Sequence, residues 1–340
     1  MPKNIVIFSD GTGQEGGKGA NTNIYKLFNI IEDRTQKQIS FYDAGLGTGW
    51  RKVSGNVSGA GISKNILECY TFIFENFEAG DQIYLFGFSR GAATVRSLSS
   101  FIHYFGVIPK SRPELIDQAY KIYKISDDGK RKAKAKEFVA RHHTMWTRIK
   151  FLGCYDTVAA LGLPIKPLSV LLNKIPGMQH SFQNFKLNES VENAYQALAI
   201  DDERKTFHPI LWDAETLDYQ TIKQVWFCGM HTDVGGGYDE QELSDIPFAW
   251  MQNMAMNHGL RIYPKHSITI NGNVNGHMHN SRGEGWTRLY PKKQRFWDSS
   301  RSDKPVVHES VLQRSNNVDN KAEPPYKPWI LGLEYEVEKD

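Results

Sequence analysis

Ile83-Tyr84-Leu85-Phe86-Gly87-Phe88-Ser89-Arg90-Gly91-Ala92-Ala93-Thr94-Val95 joins a short apolar run to a run of small, helix-compatible residues through the pentapeptide G-x-S-x-G. A serine raised at a tight strand-to-helix turn takes a strained backbone conformation. The residues two before and two after it must then be glycine to clear the strand and the helix. Gly87 and Gly91 stand at those positions. Ile83 to Phe86 predicts a buried strand. Gly91-Ala92-Ala93 predicts a closely packed helix whose first N–H groups point toward negative charge developing at the turn. The stretch reads as a nucleophile elbow. The plainer alternative is an ordinary α/β turn in which Ser89 only caps the helix.

Further continuous apolar runs, of the kind buried on both faces in parallel sheets, stand at Asn4 to Phe8, Ile39 to Tyr42, Ile149 to Cys154 and Gln224 to Cys228. Ile66, Leu67, Tyr70, Ile73, Phe74 and Phe77 recur at helical spacing, and helices are expected to begin near Asn23, Pro113, Glu189 and Ser244. Ser244 reads as an N-cap with Pro247 in the first turn, and Gly259 as the end of that helix. This alternation predicts an α/β fold, a mostly parallel sheet with helices on both faces. The chain is read as one domain over 1–340, with inserted helical or lid segments at 106–148 and 163–221 assigned to substrate binding. Within or beside them, Trp146, Phe182, Phe185, Trp212 and Tyr219 are candidates for lining an apolar acyl pocket.

A carboxylate and a base should converge on Ser89 from the C-terminal ends of other strands. Asp156 follows Ile149 to Tyr155, and His231 follows Val225 to Met230 and leads into Gly235-Gly236-Gly237. The order Ser89, Asp156, His231 is the order α/β hydrolases use. Asp233 is the alternative acid and His308 the alternative base. An oxyanion hole needs two N–H donors, one from Arg90 and one from Gly11 or Thr12 in the loop Ser9-Asp10-Gly11-Thr12-Gly13.

Competing signals in that loop are weaker. Gly11 to Gly16 satisfies G-x-G-x-x-G, but Asp10 and Glu15 flank the place of a pyrophosphate, and loop composition continues where a helix should start. A Walker-type loop fails at Thr12 and Gly19. The aspartyl phosphatase motif fails because Phe8 occupies the nucleophile position. No cofactor is expected. A metal-dependent hydrolase using Asp10, Asp156, His231 and Asp233 is the alternative chemistry, and a non-catalytic binding module on the same scaffold is the alternative class.

Apolar residues make up 40% of the 340, and the formal net charge is +3, too mild to argue for nucleic acid as a partner. The basic run Lys130 to Lys136 reads as a solvated helix face, with contact to anionic lipid at a membrane surface as the lesser reading. Cys69, Cys154 and Cys228 read as core residues rather than a disulfide framework. Met1-Pro2-Lys3-Asn4 runs straight into a strand without a Sec-type signal, and no apolar run approaches the roughly 18 residues of a membrane span. A cytoplasmic chain is expected unless a specialised secretion system delivers it.

Together, Phe8-Ser9-Asp10-Gly11-Thr12, Gly87 to Ala92, Tyr155-Asp156-Thr157-Val158 and Val225 to Tyr238 resemble the α/β-hydrolase domain of the first family of type VI secretion lipase effectors and its uncharacterised relatives. His308-Glu309-Ser310-Val311 with Arg314 resembles a late block of the same family. The resemblance implies a serine esterase or lipase cleaving acyl esters, with phospholipid the substrate of its best-known members, and a catalytic triad of Ser89, Asp156 and His231. The chain departs from those effectors in length, since 340 residues leave little room for their anchoring and delivery modules.

Overall fold

Strands β1 (Asn4–Ser9), β2 (Gln38–Asp43), β3 (Gln82–Phe88), β4 (Ile149–Tyr155), β5 (Asn193–Ala199), β6 (Thr221–Phe227), β7 (Val306–His308) and β8 (Glu336–Glu338) form one sheet in the order β2-β1-β3-β4-β5-β6-β7-β8. Every pairing is parallel. This is a computed structural model, and it describes residues 1–11, 17, 19–45, 59–158, 186–264, 268–283, 285–317 and 325–339. Because all strands run one way, every strand-to-loop exit lies on the same edge, and that edge is where the site is built.

The helices are α1 (Asn23–Ile30), α2 (Gly59–Asn76), α3 (Arg90–Phe105), α4 (Leu115–Tyr123), α5 (Asp128–His142), α6 (His231–Gly235), α7 (Glu242–Asn257) and α8 (Glu309–Asn316). The period-two alternation of a strand divides them into layers. Ile5, Ile7, Ile83 and Leu85 point into a core shared with α2, α3, α4 and α5. Val6, Phe8, Tyr84 and Phe86 point into the opposite core, shared with α1 and α7. A third cluster packs Leu198, Trp226 and Val307 against Val311 of α8 and Ile330. Both faces of the central strands are thus covered, which is why their sequences read as unbroken apolar runs.

Three differences from the sequence reading stand out. The helix expected near Glu189 is strand β5, all seven residues of which are buried between β4 and β6. Ala194, Ala197, Leu198 and Ala199 favour helix, and burial on both faces removes the alternation that would have marked a strand. Residues 193–199 of the stretch 163–221 therefore belong to the sheet itself, and 159–185 lie outside the described residues. Helix α7 starts at Glu242 with Gln241 at its N-cap, so Ser244 sits inside the first turn and donates its hydroxyl to the Gln241 carbonyl, while Pro247 is interior.

On α5, Lys130, Lys132, Lys134 and Lys136 are exposed, but Arg131 is buried, pairs with Asp128 and lies 5.2 Å from the Tyr104 ring. The three cysteines are free and buried. Among the described residues no helix is long and apolar enough to cross a membrane.

Candidate active site

The turn between β3 and α3 explains both elbow glycines. A Cβ on Gly87 would lie 2.5 Å from the Gly91 carbonyl oxygen, and one on Gly91 would collide with the Ser9 carbonyl and come within 2.7 Å of that of Asp10. Ser89 itself has φ 57° and ψ −118°, and its side chain makes no capping bond to α3. A non-glycine residue held there stores about 1–3 kcal/mol of strain. The surroundings fix it: Ser89 N–H donates to the Tyr155 carbonyl at 3.0 Å, and Ala93 N–H donates to the Ser89 carbonyl at 3.2 Å.

Ser89 Oγ lies 2.8 Å from His231 Nε2, and His231 Nδ1 lies 2.5 Å from Asp156 Oδ2. The three residues leave β3, β6 and β4 on one edge of the sheet, 67 to 142 residues apart in sequence. His231 opens α6, and its ring packs 4.7 Å from Phe88 and 5.2 Å, edge-on, from Phe207. With Nδ1–H donated to Asp156, Nε2 is left to accept the Ser89 hydroxyl proton. Burial lowers the imidazole pKa and outweighs the opposing pull of Asp156, so the ring is neutral at neutral pH.

Asp156, fully buried with φ 42°, is held from several sides. Ala199 N–H donates to Oδ1 at 3.0 Å, and Arg295 forks onto both carboxylate oxygens at 2.6 and 2.8 Å. Arg295 also donates to the carbonyls of Ala199 and Phe207, each at 2.6 Å. Burial alone would push the Asp156 carboxyl up. The Arg295 charge and fork, with the His231 bond, outweigh it and hold the group well below the usual carboxylate range. Beside them, Asp202 accepts the His231 backbone N–H at 3.3 Å and is itself forked by Arg204 at 2.6 and 3.1 Å. Sequence reasoning passes over Arg295 and Arg204, which carry no motif.

Other candidates are placed elsewhere. Asp233 accepts the Met230 N–H at 3.0 Å and pairs with His279 Nδ1 at 2.6 Å, so it caps α6 instead of meeting His231. His308 stacks 4.7 Å from Phe227 and bonds to Ser310 at 2.9 Å. Buried Asp10 accepts from Thr22 at 2.6 Å and Tyr42 at 2.7 Å, and desolvation raises its carboxyl to about 6. The four-residue metal arrangement of Asp10, Asp156, His231 and Asp233 does not form, and among the described residues no three His, Cys, Asp or Glu gather as a cation site.

Gly11 borders the elbow, since a Cβ there would lie 3.3 Å from the Phe88 ring and 3.7 Å from Ser89 Cβ. Its N–H donates to Asp10 Oδ1 at 2.7 Å, and Thr12 lies outside the described residues. The proposed acyl-pocket aromatics are also displaced. Trp146 precedes β4 and Tyr219 precedes β6, so both sit at the amino-terminal edge, opposite Ser89, against Arg148 at 5.9 and 4.3 Å. Trp212 is a core residue under Arg96, and Phe182 and Phe185 lie outside the described residues.

A family model described as T6SS, Phospholipase effector Tle1-like, catalytic domain, matches residues 3–254. The chain belongs to this family. Its parallel sheet with helices on both faces and the elbow after β3 are consistent with the α/β-hydrolase type. The uncharacterized protein YEL023C of Saccharomyces cerevisiae is 29% identical over 186 residues, 47% of this chain and 27% of that protein. An uncharacterized protein from Pseudomonas aeruginosa shares the fold at a TM-score of 0.52 and 16% identity, covering 81% of this chain and 49% of that one. A Tle1 effector solved bound to the VgrG spike of the type VI secretion system is 20% identical at a TM-score of 0.36, over 71% of this chain and 52% of that one. The chain thus spans about a quarter of the curated relative and about half of each of these structures.

Proposed function

We propose that this chain is a serine hydrolase of acyl esters, with lipid esters, phospholipids foremost, as its substrates. The observation that carries the reading is the unbroken hydrogen-bonded line from Ser89 Oγ through the His231 imidazole to Asp156. Its location directly above a strained elbow and the family's description as phospholipase effectors support it.

In the reading, Ser89 Oγ attacks the ester carbonyl carbon while its proton passes to His231 Nε2. Asp156 stabilises the resulting imidazolium without taking the proton, and Arg295 keeps Asp156 ionised and correctly turned. The tetrahedral oxyanion takes hydrogen bonds from the Arg90 amide and from the Gly11–Thr12 backbone; for Gly11 this requires release of its N–H from Asp10. Collapse breaks the ester C–O bond, and the departing alkoxide takes the proton back from His231. Water, deprotonated by the same imidazole, then attacks the acyl-serine carbonyl; the Ser89 Oγ–acyl bond breaks, Oγ takes the proton back from His231, and the fatty acid is released. Delivery by a type VI system is the corresponding reading of the chain's route.

The test is an acyl-ester panel, from short nitrophenyl esters to phospholipid vesicles, run on native protein and Ser89→Ala. Turnover by native protein and its loss in the variant are expected. Equal activity in both, or none on any ester, would sink the reading.

A further inference from the structure

Six arginines are buried among the described residues: Arg90, Arg96, Arg131, Arg204, Arg295 and Arg314. Arg131, Arg204 and Arg295 are ion-paired with Asp128, Asp202 and Asp156. Arg96 donates to the Ile210 carbonyl at 2.6 Å and lies 4.3 Å from the Trp212 ring. Arg314 donates to the carbonyls of Val274 and Gly276. Arg90 differs from all of them. It is 8% exposed, and among the described residues its terminal Nη1 is buried without a hydrogen-bond partner, whereas in Arg131, Arg295 and Arg314 only Nε is left so. Burial without a compensating carboxylate pulls the guanidinium down to about 10. A desolvated cation left this way is destabilising, and a buried donor with no acceptor calls for a partner.

The position of Arg90 says which partner. It is the residue after Ser89 and the first of the sixteen-residue α3, whose N-terminal dipole adds to the local positive potential. It lies within electrostatic reach of Tyr290. The Tyr290 ring meets Phe207 edge-on at 5.6 Å, and Phe207 in turn packs against the His231 ring. Tyr290, Phe207 and the His231 ring thus form a continuous aromatic line beside the elbow that carries Arg90.

We infer that the Arg90 side chain receives the phosphate of a phospholipid whose ester carbonyl is over Ser89, and so favours phosphate-bearing esters over neutral ones. This rests on Ser89 being the nucleophile. In a glycerophospholipid the phosphate is only a few bonds from either ester carbonyl, a span that the side chain of the adjacent residue can bridge. Arginine suits the task because its planar fork matches two phosphate oxygens and it stays charged even when desolvated.

The test uses the whole chain as native protein, Arg90→Met and Arg90→Lys, with Arg90→Gln read the same way should the methionine variant fail to fold. Fatty-acid release is measured from a short-chain phosphatidylcholine and from the diacylglycerol with the same acyl chains. The phospholipid-to-diacylglycerol ratio of kcat/KM should fall at least about ten-fold in Arg90→Met, mostly through KM, with part of it recovered in Arg90→Lys. In parallel, a non-hydrolysable diether phosphatidylcholine and inorganic phosphate are titrated separately onto Ser89→Ala with and without Arg90→Met. Arg90-dependent binding of the diether lipid supports the inference, whereas Arg90-dependent binding of inorganic phosphate without the lipid overturns the substrate role. An unchanged ratio also overturns it, even while both esters are cleaved. Should native protein cleave neither ester yet bind the diether lipid through Arg90, the hydrolase reading falls and the phosphate site stands.

Discussion

Two aspartate–histidine pairs, one buried and one part-buried, stand near the same sheet edge, and they differ in what surrounds them. Asp156 meets His231 Nδ1 at 2.5 Å, and Asp233 meets His279 Nδ1 at 2.6 Å. Asp156 is forked by Arg295 and held well below the carboxylate range, whereas desolvation pushes Asp233 up against its only partly offsetting hydrogen bonds from Met230 and His279. The far nitrogen of His231 reaches a strained serine at 2.8 Å, while that of His279 faces Glu240 at 3.6 Å. In the proposed reading, an Asp–His contact is thus not enough by itself to make a catalytic pair. The charge state of the acid and the occupant of the second ring nitrogen make the difference.

The largest expected contrast is between the two histidines. His231→Ala should lower kcat on a soluble ester on the order of 10⁶-fold, and His279→Ala less than about ten-fold, as read by initial rates. Comparable losses would erase the distinction. Next come the acids: Asp156→Asn should cost on the order of 10⁴-fold in kcat, far more than Asp233→Asn. The reverse ranking would move the orienting carboxylate to Asp233.

Arg295 sharpens the contrast, because among the described residues no arginine forks Asp233. Arg295→Met strands a buried carboxylate, so denaturant unfolding should show a loss of about 3–5 kcal/mol. The same substitution in an Asp156→Asn background should cost clearly less, since the charge it served is gone. Equal costs in the two backgrounds would mean that Arg295 acts elsewhere.

A pH profile tests the electrostatics. His231 must be neutral to act as base, and burial lowers its pKa against the pull of Asp156 and Asp202 and alongside the push of Arg204. The acidic limb of kcat/KM should therefore fall below the ordinary imidazole value of about 6.5. Removing the Arg295 charge leaves Asp156 uncompensated beside the ring, so that limb should move to higher pH in Arg295→Met, and less in Arg295→Lys, which keeps a cation there. The smallest effect is expected away from both pairs: charge reversal at exposed Lys130 or Lys134 should shift the unfolding free energy by less than about 0.5 kcal/mol.

Much of this arrangement is legible in the sequence, for an identifiable reason. Ser89, Asp156 and His231 each follow a buried strand, and a parallel sheet collects all such exits on one edge. By the same rule Trp146 and Tyr219, which precede strands, belong to the other edge; their residue type suggested a pocket that topology forbids. Asp156 and Asp233 look alike locally, and only their partners from distant segments separate them. Arg295 lies in Lys292-Lys293-Gln294-Arg295, a stretch that carries no motif, and only the fold brings it to Asp156, 139 residues earlier. Strand β5 hides for a different reason: central burial makes its alanines and leucine helix-like in pattern.

The most direct test of the central claim is labelling with a fluorophosphonate probe followed by peptide mapping. The account predicts one adduct, on Ser89, formed by native protein and suppressed in His231→Ala. An adduct on another residue, or labelling of Ser89 that survives loss of the His231 imidazole undiminished, would contradict it.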